Sequence, residues 1–124
     1  MRHYDPPSET VPQWRRGPEN ELSLNDVFSI LADKRRRLLL YALQDAAGEV
    51  AVDRLRDQIL AWEGETVGRD RSRRHLSIAL RHRHLPRLDA LGVVDFDADA
   101  GVVVYYGHPL LARWLSQTRE LDQI

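Results

Sequence analysis

From Leu22 onward, apolar residues recur at helical spacing. Ser23 or Asn25 can cap, and Leu24, Val27, Phe28 and Leu31 share a side, which predicts a first helix over about 24 to 32. Asp33 caps a second segment, Lys34 to Asp45, where Leu38, Leu39, Tyr41, Ala42 and Leu43 leave little polar surface. Such a helix belongs in the centre of a domain. Gly48 marks its exit, Val50 to Val52 reads as a short strand, and Asp53 opens a third helix with Leu55, Ile59, Leu60 and Trp62 largely on one side.

Glu63 to Asp70 is polar, with Gly64 and Gly68, and reads as a loop; Arg71 to Gly92 reads as a fourth helix. Val93, Val94 and Phe96 then face Val102 to Tyr106 across Asp97 to Gly101, the pattern of a hairpin. Pro109 fits the first turn of a last helix, about 109 to 121, whose Leu110, Leu111, Trp114, Leu115, Thr118 and Leu121 share a side. Helices followed by a hairpin, with the last of them running straight into the first strand, predict a mainly α fold with a small β-hairpin wing, the winged helix-turn-helix.

Two details of the fourth helix sharpen this picture. Leu85, Leu88 and Leu91 lie on one side, and Gly92 can take the left-handed conformation that turns the chain into the wing. Leu76, Ala79 and Leu80 form an earlier stripe, and on a regular helix the two stripes centre about 120° apart. Pro86 removes a hydrogen bond and pushes Leu85 from the α region, so a kink or break is expected near it. Residues 1 to 20 hold four of the six prolines and no periodicity; they read as a flexible arm, leaving 21 to 124 as the domain. Within the arm, Trp14 beside Arg15 and Arg16 is either a docking aromatic or an ordinary exposed one.

Composition then excludes several chemistries. A chain of 124 residues fits one domain, and the absence of cysteine rules out disulfides, thiol nucleophiles and Cys-based zinc sites. No apolar run approaches the roughly 20 residues of a membrane span, and Met1 to Pro6 does not resemble a signal peptide, so a cytoplasmic protein is expected. There is no Gly-rich phosphate loop, Gly-x-Ser-x-Gly or His-Glu-x-x-His, so no enzyme and no cofactor are expected. His82 and His84 point about 200° apart on a helix, which argues against a metal site.

The net charge of -1 conceals strong segregation. Residues 34 to 37 carry +4 and 69 to 88 carry +6, while the three remaining stretches carry -3, -4 and -4. Lys34 is the only lysine beside 17 arginines, a bias that fits a GC-rich or salt-loving host as readily as a binding function.

Turning Leu76, Ala79 and Leu80 inward projects Arg74 and Arg81 outward with Ser77 beside them, the geometry for a helix, about 71 to 85, laid in the major groove. Arg71 and Arg73 would sit nearer phosphates, as would Arg35 and Arg36 from the first island. Placing Lys34 to Arg37 at a helix start opposes the helix dipole, which suggests either phosphate contact or pairing with acids such as Asp33 or Asp45. Against DNA stand Asp95, Asp97 and Asp99, expected at the wing tip, where they would repel phosphates.

The run His84-Leu85-Pro86-Arg87-Leu88-Asp89-Ala90-Leu91-Gly92-Val93-Val94 resembles the end of the recognition helix in ArsR-like winged-helix regulators, and Leu31-Ala32-Asp33-Lys34-Arg35-Arg36-Arg37-Leu38-Leu39-Leu40 resembles the start of their second helix. With Arg81-His82-Arg83-His84-Leu85-Pro86, the likeness is closer still to an uncharacterised winged-helix domain of haloarchaea, over about 22 to 106. The resemblance implies a regulator that binds double-stranded DNA as a homodimer through its first and last helices. Leu110, Leu111, Trp114, Leu115 and Leu121 are the candidate interface, unless the last helix packs on its own core. A winged-helix protein-interaction module that does not bind DNA is the alternative.

Overall fold

A computed structural model of the chain describes residues 22–64 and 70–124; the proposed arm, Arg69 and the centre of the loop after the third helix lie outside them. Helix α1 spans Leu24–Leu31, α2 Lys34–Asp45 and α3 Val52–Trp62, with strand β1, Glu49–Ala51, between the last two. Next come α4, Asp70–Ala79, a π-helical turn, Leu80–His84, and α5, Leu85–Ala90. Strands β2, Val94–Asp97, and β3, Val102–Tyr105, lead to α6, Pro109–Asp122. The chain is mainly helical with a small antiparallel sheet that includes the expected hairpin.

Local chemistry accounts for the boundaries. Ser23 Oγ accepts the Asp26 N–H at 3.0 Å while Asp26 accepts the Ser23 N–H at 3.1 Å, a reciprocal cap that starts α1. Asp33 accepts the Arg36 N–H and starts α2. At the far end of α5, Val93 N–H reaches Leu88 O and Gly92 N–H reaches Asp89 O, a Schellman closure that needs the left-handed Gly92, φ 78°. His108 caps α6 by accepting the Leu110 N–H at its Nδ1.

Helix α2 is the axle of the core. Its Leu38 to Leu43 are all buried, and α1, α3 and α6 pack around them with Val27, Ile30, Leu55, Ile59, Leu111 and Leu115. The sheet order is β1-β3-β2, both pairs antiparallel, so β1 joins the hairpin as a third strand with Val50 opposite Val103.

The helix does not break at Pro86. Instead Leu85 N–H bonds to Leu80 O, the i→i−5 pattern of a π turn, on the N-terminal side of the proline. One extra residue in a turn rotates everything beyond it by about 100°, which brings the two expected stripes nearly into line. Leu76, Leu80, Leu85 and Leu88 are accordingly all buried. The same widening makes room for the Pro86 ring, which in a regular helix would strike the His82 carbonyl.

Candidate nucleic-acid interface

Helix α4 packs on α3 through Leu76, and the π turn adds Leu80. Burying that stripe leaves Arg71, Arg74, His75, Ile78 and His82 exposed on the outer side of the helix. Arg71 and Arg74 make no ion pair among the described residues. Ile78, 51% exposed, sits between them and His82. His75, Ile78 and His82 were not among the residues expected at the interface, yet the signal was available, since Ile78 belongs to neither leucine stripe.

The other expected contacts turn toward the protein. Ser77 Oγ accepts from Arg56 Nη1 of α3 at 3.2 Å. Arg81 lies 3.9 Å from Asp53 at the start of α3, and its guanidinium covers Gly101, where a Cβ would come 3.0 Å from Nη2. Arg73 is 3.9 Å from Asp57, at an exposed pair that contributes little. Sequence spacing placed Arg74, Ser77 and Arg81 on one outer side, but α3 and the wing claim the last two.

The first island is consumed in a similar way. Arg35 makes a two-pronged ion pair with Glu63 at the end of α3, 2.8 and 2.9 Å, so it does not stand free for phosphate. Arg37 does the same with Asp122 of α6, 2.8 and 3.1 Å, and also donates to Leu31 O. The Tyr41 hydroxyl donates to the same Asp122 at 2.7 Å. Arg36 turns inward, donating to Ser29 O at 2.8 Å with its Nε 3.4 Å from His84 Nδ1. Lys34 alone of the four is exposed. The acids that answer Arg35 and Arg37 are distant in sequence, which is why Asp33 and Asp45 seemed the natural partners.

His84 is fully buried. Burial, set against the favourable charge of Asp33 and reinforced by Arg83 and Arg36, pushes its pKa down to about 4, so the ring is neutral at pH 7. A neutral imidazole accepts on one nitrogen only. Arg83 Nη2 lies 3.2 Å from Nε2, and Arg36 Nε is on the other side of the ring.

The wing corrects the expected acidic tip. Asp95 is 2% exposed and accepts the Tyr106 hydroxyl at 2.6 Å. Asp97 accepts the N–H groups of Asp99 and Ala100, which folds the turn that Gly101, φ 68°, completes. Only Asp99 of the three is exposed. The three acids alternate between core, turn and solvent rather than forming one surface cluster.

Helix α6 carries two apolar stripes, about 100° apart. Leu111 and Leu115 are core residues, fully buried beside α2, and so are not available to a partner as the sequence reading had them. Leu110, Trp114 and Leu121 form the outer stripe; Trp114 is 39% and Leu121 81% exposed. Across from Trp114, Phe28 of α1 makes an edge-on ring contact at 5.3 Å, and Leu24 beside it is 51% exposed. A groove lined by Leu24, Leu110, Arg113, Trp114 and Gln117 runs between the two helices.

In this mainly helical chain α4 leads through the π turn and α5 into a small three-stranded sheet, and its Arg71 and Arg74 meet no acid among the described residues. By sequence, the family described as Domain of unknown function (DUF7344) matches residues 28–104, more than half the chain, and the chain belongs to it. That span runs from within α1 into β3 and leaves α6 outside. No curated protein and no solved structure matches. No helix among the described residues is long and apolar enough to cross a membrane, and no group of three or more potential metal ligands occurs among them.

Proposed function

We propose that this protein is a winged-helix transcription regulator that lays the outer side of α4 in the major groove of double-stranded DNA. The observation that carries the reading is the pair Arg71 and Arg74, exposed and without an acid among the described residues, one turn apart on the helix that precedes the wing. Arginines so placed can contact guanine edges or phosphates, and Ile78 between them and His82 can meet a thymine methyl group. The motif likeness to ArsR-like regulators, and to the haloarchaeal winged-helix domain in particular, supports the same reading. Burial of Asp95 removes part of the repulsion an acidic wing would exert. The proposal requires no cofactor and no catalytic step, and places the protein in the cytoplasm with the genome.

The proposal includes a homodimer built on Leu24, Phe28, Leu110, Trp114 and Leu121, the apolar side of α1 and α6 that the core leaves uncovered. Two copies would present two α4 helices to two half-sites. Fluorescence anisotropy with genomic duplex fragments over a salt series tests the DNA reading. Wild type is expected to bind with a steep salt dependence, and Arg71→Ala/Arg74→Ala to lose on the order of 10- to 100-fold in affinity, about 1–3 kcal/mol. Equal binding by both at every salt concentration would sink it. One observation favours the alternative protein-interaction module, namely Ile78 at 51% exposure in the middle of the face. A partner captured through Ile78 by a protein that does not bind DNA would establish that reading instead.

A further inference from the structure

A second group of arginines gathers where α5 meets the corner between α1 and α2. Arg87 donates from Nη2 to Ser29 Oγ at 2.9 Å, and Arg36 donates to the carbonyl of the same Ser29 at 2.8 Å. Arg36 and Arg83 flank the buried His84 on its two ring nitrogens. Three guanidiniums are thereby strung along Ser29 and His84. Among the described residues the one carboxylate in contact is Asp33, 3.9 Å from Arg83 and already accepting the Arg36 N–H as the cap of α2.

Like charges held this close repel unless an anion answers them. The strain registers on Arg36: burial lowers its pKa, Asp33 raises it, and the charges of Arg87 and Arg83 lower it further. Arg83 and Arg87 have exposed side chains at i and i+4, so their outer donors are open to solvent. In the first island Glu63 and Asp122 supply the compensating charge; at this corner no second acid does so among the described residues.

We propose that Arg83, Arg87 and the Ser29 hydroxyl, backed by Arg36, bind a phosphate group. Planar guanidiniums meet tetrahedral oxyanions with paired N–H donors, and a hydroxyl adds a third point of contact. His84 is the positioning residue, since its buried ring stands between Arg36 and Arg83 and can accept from one of them while keeping them apart. The phosphate is either a backbone diester beside the groove that α4 occupies or the phosphate of a small effector. The proposal does not depend on α4 reading DNA.

The test uses the full chain at constant ionic strength. Inorganic phosphate replaces chloride while the arginine Nε–Hε signals are followed by NMR, and duplex DNA binding is measured over a salt series in parallel. A saturable shift of Arg83 and Arg87, weakened several-fold by Ser29→Ala and lost in Arg83→Gln/Arg87→Gln, establishes the site for a free phosphorylated ligand. A fall in the salt slope of DNA binding by about 0.9 in the double variant, the value for one lost phosphate contact, establishes it for a backbone phosphate. No phosphate response together with an unchanged slope overturns the proposal. Ser29→Ala keeps all three charges and so separates loss of the site from loss of the fold. A phosphate response in a protein that never binds DNA would leave this site standing while removing the proposed function.

Discussion

The two arginine islands differ in how completely folding answers their charge. At Lys34 to Arg37, charge opposes the α2 dipole and is spent on the fold: Arg35 holds α3 through Glu63, Arg37 holds α6 through Asp122, and Arg36 fills the corner above α1. On α4, Arg71 and Arg74 meet no acid among the described residues. A run of positive charge therefore says little until the acids that fold opposite it are known. What distinguishes a binding face is the arginine that folding leaves unanswered.

The largest effect expected from breaking this contrast is on stability. Arg37 and Asp122 are largely shielded, at 19% and 13% side-chain exposure, and Tyr41 shares the carboxylate. Arg37→Ala leaves Asp122 facing the Tyr41 hydroxyl alone and should cost roughly 2–3 kcal/mol in urea unfolding, with no change in the salt slope of DNA binding. A stable Arg37→Ala variant with weakened DNA binding would move Arg37 to the binding side of the comparison.

Acid provides a comparable probe of the corner between the islands. The folded-state pKa of His84, about 4, lies below its ordinary value of 6.5 because burial disfavours the imidazolium. The unfolded chain thus binds the proton first as pH falls, so stability is full above 6.5 and declines between 6.5 and about 4. The drop is worth on the order of 3 kcal/mol. Below that window a second loss follows as pH drops from the ordinary 3.8 through the lowered values of Asp122, held down by the Arg37 hydrogen bond, and Asp45, held down by Arg119. Unfolding free energies measured from pH 7 to 4 in wild type and His84→Gln should differ in slope, with the variant nearly flat. Parallel profiles would place the acid sensitivity elsewhere.

A third effect, smaller than these, contrasts two arginines of one helix. Arg74→Ala should weaken DNA binding about tenfold without changing stability, whereas Arg81→Ala should act mainly on the packing of the wing turn over Gly101. Equal losses of affinity in the two variants would return Arg81 to the outer side, as the residue spacing suggests.

Element order was legible because it rests on local signals: the Ser23 and Asp33 caps, the all-apolar run of α2, the left-handed Gly92, and Pro109 in the first turn of α6. The site was legible only as a region. Which of Arg71, Arg74 and Arg81 faces outward depends on α3 and the wing turn, contacts that cross tens of residues and leave no periodic trace. The π turn is the clearest instance, since a phase mismatch between two leucine stripes signalled an irregularity but not its form. A one-residue widening answered it where a proline suggested a kink. In α6, two stripes one residue apart look like a single broad apolar side until the core takes Leu111 and Leu115 and leaves Leu110 and Trp114.

The smallest effect bears most directly on the contrast. Arg35, with a side chain 37% exposed, could be read as a phosphate contact that happens to touch Glu63. If its role is to hold α3, Arg35→Ala should cost below about 1 kcal/mol, because the pair is partly open to water. Glu63→Gln should cost a similar amount, and the double variant no more than either alone. DNA affinity and its salt slope should stay unchanged in all three. The opposite pattern, an unchanged unfolding midpoint and a salt slope lower by about 0.9 in Arg35→Ala, would mean that Arg35 leaves Glu63 for phosphate when DNA is present. The first island would then be a second binding surface, and the pairing seen in the free protein its resting state.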